Sequence, residues 1–288
     1  MKPFGRILVI LNPAARGTRA ALLADRIRAL SVMATVRLTE GPGDAEAIAE
    51  RAAGSGWRAI VAAGGDGTVN EVVRGMGHSG IPFGILPVGT MNVFATELGI
   101  PRNNLSAAWE IIKQGRVHEV DLPTANGEYF VQLAGVGLDA QVVQETHPDS
   151  KKTLGPLSYL LTLAHVAARK PPRIIVRPES GHTREGSFVL VGNGRFYGGP
   201  FVLFKGAQLD DGLLDVLVFQ NQTHWDIVRY LQAIAFGAHP ELHDVEYFQT
   251  PSLRLESSEH VPVEVDGELA GALPYDFGIS PHPLRVLA

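Results

Sequence analysis

The sequence predicts an α/β domain followed by a β-rich domain, and three observations carry that prediction. Short apolar runs alternate with helix-period segments through the first third of the chain. After about Asp121 the texture changes to strand-like segments separated by Gly, Pro and Asp turns. At 288 residues the chain is long for one compact core, and two domains are expected.

In the first region Ile7–Leu11, Ala59–Ala63 and Phe83–Leu86 are apolar runs suited to strands of a parallel sheet, which is covered on both faces. Helical patterns lie between and after them, over Arg19–Leu30, Ala45–Ala53, Val69–Met76, Thr90–Leu98 and Leu105–Gln114. Asp44 is placed to N-cap the second of these, Glu46 suits its first turn, and Gly54 marks its end. Strand–helix units of this size imply right-handed crossovers and a doubly wound, mostly parallel sheet. In the second region strands are expected over Tyr129–Ala134, Arg173–Arg177, Ser187–Val191, Leu213–Phe219, Val245–Phe248, Leu253–Glu256 and Val261–Val265. Helices are expected over Pro156–Ala168 and His224–Phe236.

Composition narrows the function. A net charge of -5 with no dense basic run excludes a broad nucleic-acid-binding face, which needs clustered Lys and Arg. The chain has no cysteine, so disulfides, thiolate metal sites and a Cys nucleophile are excluded, in keeping with a reducing cytosol. Met1–Arg6 leads into a strand without an apolar leader, and no run approaches the roughly twenty apolar residues of a membrane span. A cytoplasmic protein is expected, with any membrane contact peripheral. His239-Pro240-Glu241-Leu242-His243 has ligand-like spacing, but Pro240 and the lack of a third ligand favour a surface loop.

The segment that carries chemistry is Gly64-Gly65-Asp66-Gly67-Thr68, between a strand and the helical pattern Val69-Asn70-Glu71-Val72-Val73. Ligands bind at this edge of an open parallel sheet. Glycines let backbone amides approach a phosphate, and the helix N-terminus favours an anion. Thr68-x-x-Glu71 also reads as a capping box, which is compatible with that role. There is no Gly-x4-Gly-Lys-Ser/Thr, so the chain is not a P-loop enzyme. Gly192-Asn193-Gly194-Arg195-Phe196-Tyr197 puts Tyr where a dinucleotide fingerprint needs its third glycine.

The run Gly64–Glu71 resembles the nucleotide-binding motif of the diacylglycerol kinase catalytic-domain superfamily, which includes bacterial lipid kinases and sphingosine kinases. Asn12-Pro13 is similar to that family's opening motif, and Pro87-Val88-Gly89-Thr90-Met91-Asn92-Val93-Phe94-Ala95 to its second glycine loop. Asn193-Gly194-Arg195 with Gly198-Gly199, Leu209–Asp215 and Val265-Asp266-Gly267-Glu268 resemble its later motifs, in order and across nearly the whole chain. The resemblance implies a nucleotide-binding α/β domain over 1–122, rejoined by 276–288 through a last strand near Pro283–Leu287. It also implies a β-sandwich acceptor domain over 123–275, with catalysis in the cleft between the two.

By the same resemblance the chain is an ATP- and magnesium-dependent kinase of a lipid hydroxyl, meeting its acceptor at a membrane surface, and a homodimer is compatible with it. Asn12, Thr39, Gly64, Gly65, Asp66, Gly67, Thr68, Asn70, Glu71, Gly89, Thr90 and Asn92 are the expected nucleotide contacts, Asp66 also organising the magnesium–phosphate end. Thr90 on its own residues reads as a helix N-cap. A second magnesium site is implied at the Asp211 carboxylate with the carbonyls of Gln208 and Leu213, in a segment that also reads as a turn. Either Asp266 or Glu268 would accept the proton of the acceptor alcohol, with Glu268 favoured as base and Asp266 as orienter. Extended backbone would put both on one face, whereas Asp266-Gly267 is also a hairpin-turn signal. The pattern departs from the family at Val93, where Asp is usual, at Lys205, where Pro is common, and at Gly17, which is displaced. Two rival readings share the glycine loop: NAD kinase, and a nucleotide- or lipid-binding regulator without turnover.

Overall fold

The computed structural model describes residues 6–14, 25, 29, 34–145, 162–163, 165–197 and 201–288. All but two residues of the Arg19–Leu30 helical pattern, the first part of Pro156–Ala168, and Gly17, Gly198 and Gly199 lie outside them.

The N-terminal part runs β1 (Ile7–Leu11), β2 (Ala34–Leu38), α1 (Asp44–Ala53), β3 (Ala59–Gly64), α2 (Asp66–Met76) and β4 (Phe83–Pro87). A short α3 (Val93–Glu97), α4 (Leu105–Gln114) and β5 (Val117–Val120) follow. The C-terminal part begins with β6 (Pro123–Ala125), β7 (Glu128–Tyr129), β8 (Leu133–Val136), α5 (Leu138–Glu145), β9 (Ile174–Pro178), β10 (Arg184–Gly186) and β11 (Phe188–Gly192). It continues through β12 (Phe196–Tyr197), β13 (Phe201–Val202), β14 (Leu214–Phe219), α6 (His224–Phe236), β15 (Val245–Thr250) and β16 (Ser252–Glu256). The last strands are β17 (Pro262–Val265), β18 (Glu268–Ala272), β19 (Tyr275–Ile279) and β20 (Leu284–Leu287).

The first sheet has the order β2-β1-β3-β4-β20-β5. Its strands are parallel except β5, which runs antiparallel to β20. Every residue of β1, β3 and β4 is buried, as their uninterrupted apolar runs require. From β1 the chain goes outward to β2 and then back past β1 to β3. The order therefore reverses between β1 and β3, and their C-terminal ends are where a ligand crevice opens.

Two antiparallel sheets form the second part, with orders β10-β9-β16-β19-β6-β7 and β15-β14-β11-β8-β17-β18. One core lies between them, with Val189, Val191, Val216, Val218 and Val263 facing Val176, Leu253, Leu255 and Phe277. The outer face of the second sheet is also buried: Phe188, Leu190, Leu217 and Phe219 pack with Leu138 and Val142 of α5 and with Ile227 and Tyr230 of α6. Burial on both faces explains why β11 and β14 are apolar apart from Asp215 of β14. The return to the first sheet begins after Ile279. β19, which spans the 275/276 boundary expected from sequence, pairs with β16 and β6.

Several local expectations are corrected. α2 starts at Asp66, so Thr68 lies inside its first turn and forms no capping box; the N-cap position is Gly65, with no side-chain cap. Glu71 Oε2 instead accepts the Ala45 N–H at 3.0 Å, capping α1 from the neighbouring helix. Gly43, not Asp44, holds the N-cap position of α1; Asp44 Oδ2 accepts the N–H groups of Glu40 and Gly41. The helix expected over Thr90–Leu98 is confined to α3, because Asn92 takes a left-handed conformation at its start. Thr90 is therefore not its N-cap. The strand expected over Tyr129–Ala134 is split into β7 and β8. His239, expected in a surface loop, is wholly buried in a short 3-10 turn, with Nε2 2.6 Å from the Leu203 carbonyl oxygen.

Candidate active site

The two glycine loops meet backbone to backbone. The Gly64 carbonyl accepts the N–H groups of Val88 (3.1 Å) and Gly89 (3.2 Å). A Cβ on Gly89 would lie 2.3 Å from Gly65 Cα, so the approach tolerates no side chain there. Asn92 closes the second loop on itself: its Oδ1 accepts the Gly89 N–H at 3.0 Å and its Nδ2 donates to the Gly89 carbonyl at 2.8 Å. Asp66 fastens one loop to the other. Its Oδ1 accepts the Val93 N–H at 2.6 Å, at the start of α3. Burial pushes the Asp66 carboxyl above the usual carboxylate range, and the N–H groups it accepts partly offset this.

Around this junction the structure gathers other expected residues. Asn12, just past β1, donates its backbone N–H to the Ala63 carbonyl at 3.0 Å and donates from Nδ2 to Thr68 Oγ1 at 3.2 Å. Thr39, just past β2, is buried and donates its N–H to the Leu11 carbonyl. Asn70 is buried on α2, while Thr90 is exposed on the second loop. Gly67 stands apart from the other loop glycines. It is exposed in the first turn of α2, its φ is not positive, and a Cβ there would meet nothing within 4 Å. Neither conformation nor packing of the chain itself calls for glycine at that position. Open space lies beside it, next to the helix start, whose N-cap position carries no side-chain cap.

Asp266 and Glu268 flank the β17–β18 hairpin. Asp266 (φ 51°) and Gly267 (φ 85°) are its two turn residues, so the extended geometry that would put both carboxylates on one face is not present. The Asp266 carboxylate accepts three backbone N–H groups, from Val131 (2.8 Å), Gln132 (2.9 Å) and Leu133 (3.2 Å). These bonds draw the chain aside between β7 and β8 and break the strand expected there. Burial pushes the Asp266 carboxyl up to about 6, against the lowering effect of those N–H groups and of Arg74. Glu268 points into solvent, its side chain 62% exposed, with an oxygen 3.7 Å from Arg74 Nη1. Arg74 lies on α2, eight residues from Asp66, about 12 Å along the helix axis. The hairpin of the sandwich thus faces the helix that begins at the glycine loop. A second clasp joins the two parts: buried Glu97, at the end of α3, accepts from the N–H groups of Arg195 and Phe196 and from Arg195 Nε.

A buried carboxyl pair beneath the hairpin was not foreseen. Asp139 of α5 and Glu264 of β17 lie side by side, both against Gly135. Tyr197 donates to both oxygens of Asp139 (2.8 and 3.0 Å), and Glu264 Oε2 accepts the Gly267 N–H at 2.7 Å. Burial raises both carboxyls, and Glu264 is raised further by the charge of Asp139. The available signal was a lone carboxylate in Val261–Val265, out of step with the core valines.

Among the described residues, the acids of the Asp211 turn have no basic partner. Asp211 Oδ1 accepts the Leu213 N–H at 3.1 Å, Asp121 Oδ2 accepts the Gly212 N–H at 2.7 Å, and Gln208 is exposed. Burial raises the Asp121 carboxyl, and the charges of Asp211 and Asp210 raise it further. The neighbouring Asp215 is pushed up to about 6, chiefly by burial and partly by Asp211. Among the described residues no three His, Asp or Glu side chains converge to cage a metal ion. One carboxylate with backbone carbonyls and waters fits magnesium, which keeps much of its hydration.

The comparisons agree with this architecture. A sequence profile of the diacylglycerol kinase catalytic domain matches residues 6–125, and one of the YegS C-terminal NAD kinase β-sandwich-like domain matches residues 132–288. The chain is 35% identical over 296 residues to a Pseudomonas aeruginosa protein named "Probable lipid kinase YegS-like", covering 98% of this chain and 93% of that one. It is 30% identical over 239 residues to a diacylglycerol kinase of Bacillus subtilis, covering 82% and 79%. A crystal structure of "a putative diacylglycerol kinase from Bacillus anthracis str. Sterne" superposes with a TM-score of 0.84 at 27% identity, over 100% of this chain and 96% of that one. This chain belongs to the diacylglycerol kinase catalytic-domain family of lipid kinases, phosphotransferases whose acceptor is an alcohol.

Proposed function

We propose that the protein transfers the γ-phosphoryl group of ATP to a hydroxyl of a membrane lipid such as diacylglycerol, with magnesium as cofactor. The observation that carries this reading is the facing of Glu268 and Asp266 toward α2, the helix that starts at the glycine loop.

In this reading the N–H groups at the start of α2 hold the phosphates, and the missing side chain of Gly67 admits them. Asn12 orients Thr68, and Thr39, Asn70 and Thr90 line the nucleotide's approach. Asp66 and Asn92 act by fixing the two loops against each other. Gly64, Gly65 and Gly89 allow that contact. Glu71 supports the site from behind through its bond to α1.

Glu268 takes the proton of the acceptor hydroxyl as its oxygen attacks the γ-phosphorus. The bond from the γ-phosphorus to the bridging oxygen breaks, and ADP leaves with that electron pair. Asp266 orients the turn that presents Glu268, and Arg74, held by Glu46, steadies that carboxylate. Magnesium, when bound, neutralises the charge of the transferring phosphates. The carboxylate of Asp211, with the carbonyls of Gln208 and Leu213, would hold a further magnesium ion at the junction of the two parts. We place residues 1–122 with the returning C-terminal strand in the nucleotide-binding unit, and the sandwich in the acceptor unit.

The test is incubation with γ-labelled ATP, magnesium and a total lipid extract, with products identified by mass spectrometry. Wild type is expected to label a lipid hydroxyl, and Glu268→Gln to lose about a hundredfold or more in kcat while still binding ATP. Undiminished transfer by Glu268→Gln would remove the assigned base. Absence of any labelled lipid would remove the kinase reading.

A further inference from the structure

We propose that the outward face of α6 is a docking surface that seats the protein on an anionic phospholipid bilayer. This rests on the lipid-kinase reading only in giving the protein a reason to reach a bilayer; the surface itself is argued from the helix.

A surface helix ordinarily turns its polar residues to water and its apolar stripe to the core. α6 buries Ile227 and Tyr230, yet its opposite face is also apolar. Trp225 is 83% and Phe236 86% exposed, with Val228 and Leu231 between them nearly half exposed. The charged residues are engaged elsewhere. Asp226 closes a capping box with Thr223, and Arg229 binds Asp244 and Asp226. Phe201 and Val202 of β13, a strand that touches α6, are exposed as well.

Fraying does not explain this exposure. The helix is capped at its start by Thr223 and ends in a left-handed Gly237, and Tyr230 packs on the stacked rings of Phe188 and Phe219. A large apolar patch on a well-held element marks an interaction surface. Trp and Phe beside an apolar row suit the boundary between headgroups and acyl chains.

Charge complementarity favours a bilayer as the occupant. Lys205 is exposed near the end of α6, its Cε 2.9 Å from where a Gly237 Cβ would stand, and it has no carboxylate partner among the described residues. The nearby carboxylates of Asp226 and Asp244 are already bound to Arg229. An anionic headgroup supplies Lys205 with a counter-charge, and because Glu241 is exposed just past the helix end, the oligomeric state is read alongside vesicle binding. The patch is also continuous with the site. The β12–β13 hairpin is tied to Glu97 through Arg195 and to Asp139 through Tyr197, and its other strand lies along α6.

The test is partition onto vesicles of phosphatidylcholine with or without phosphatidylglycerol, measured by co-sedimentation without nucleotide. Trp225→Glu with Phe236→Glu is expected to weaken partition about tenfold or more, and Lys205→Ala about fivefold on the anionic vesicles alone. Circular dichroism and ATP affinity without lipid are expected to match wild type. Trp225 fluorescence is expected to be quenched by brominated acyl chains; Trp109 is buried and Trp57 lies beneath Arg6. Unchanged partition in the double variant overturns the proposal. So does a wild-type dimer that the double variant dissociates while vesicle binding persists. The two readings fail separately: loss of vesicle binding in the variant with no ATP binding by any form keeps the surface and removes the kinase. Lipid phosphorylation with unchanged partition does the reverse.

Discussion

Gly67→Ala separates a phosphate-binding loop from a structural strand–helix turn, because the two accounts predict opposite consequences. Glycine in a helix costs roughly 0.5–1 kcal/mol relative to alanine, through the freedom it loses on folding. At Gly67 the added methyl would meet no atom within 4 Å, and the backbone already has a φ that alanine accepts. The variant should therefore be more stable by about 0.5 kcal/mol, raising Tm by about 1–2 °C. If phosphates occupy that open volume, the same methyl intrudes between them and the N–H groups of the helix start. ATP affinity should then fall about tenfold to a hundredfold, or roughly 1.4–2.8 kcal/mol. Differential scanning calorimetry and equilibrium titration with ATP read the two effects on one preparation. A stabilised variant that binds ATP as wild type does would refute the assignment of the phosphates to this turn. Gly89→Ala provides the contrast, since its Cβ would strike Gly65 Cα at 2.3 Å.

Other expectations follow from particular contacts. Gly89→Ala should lower stability by about 1–3 kcal/mol, seen as a lower midpoint in urea, because backbone rather than a movable side chain must give way. Glu71→Ala removes the cap on α1 and should cost about 1 kcal/mol in the same assay; no loss would show the Ala45 bond to be idle. Asp266 links activity and stability to pH with opposite signs. Its raised value means that its stabilising contribution is present below the unfolded value of ~3.9 and is lost as pH rises through about 6. Turnover should instead fall as pH drops below about 6, where a protonated Asp266 no longer offers both oxygens to Val131, Gln132 and Leu133. Asp266→Asn should remove that acid limb from the kcat/KM profile; a limb retained unchanged would assign it to another group.

Much of the fold was legible because burial writes itself into local pattern. The runs of β1, β3 and β4 are apolar at every position, and the Leu105–Gln114 and His224–Phe236 helices keep the bounds expected of them. The first glycine loop could likewise be placed at a strand end. Several of the misreadings share one cause, which is partners distant in sequence. Thr68-x-x-Glu71 has the form of a capping box, but Glu71 is claimed by Ala45 of another helix and Thr68 by Asn12. Tyr129–Ala134 reads as a strand until Asp266, more than 130 residues away, takes its N–H groups. Glu264 and Asp139 gave no local sign of their pairing, which exists only because α5 packs against β17. The outward face of α6 was hidden in a similar way. Its apolar residues satisfy a core-facing pattern, and only the structure shows that the core claims Ile227 and Tyr230 and leaves Trp225 and Phe236 in water.

The most direct measurement is a crystal structure with a non-hydrolysable ATP analogue and magnesium. The account predicts phosphate oxygens within hydrogen-bonding reach of the backbone amides of residues 65–68, beside the bare Cα of Gly67, with the terminal phosphate turned toward Glu268. An analogue bound elsewhere, or a terminal phosphate directed away from the β17–β18 hairpin, would contradict it.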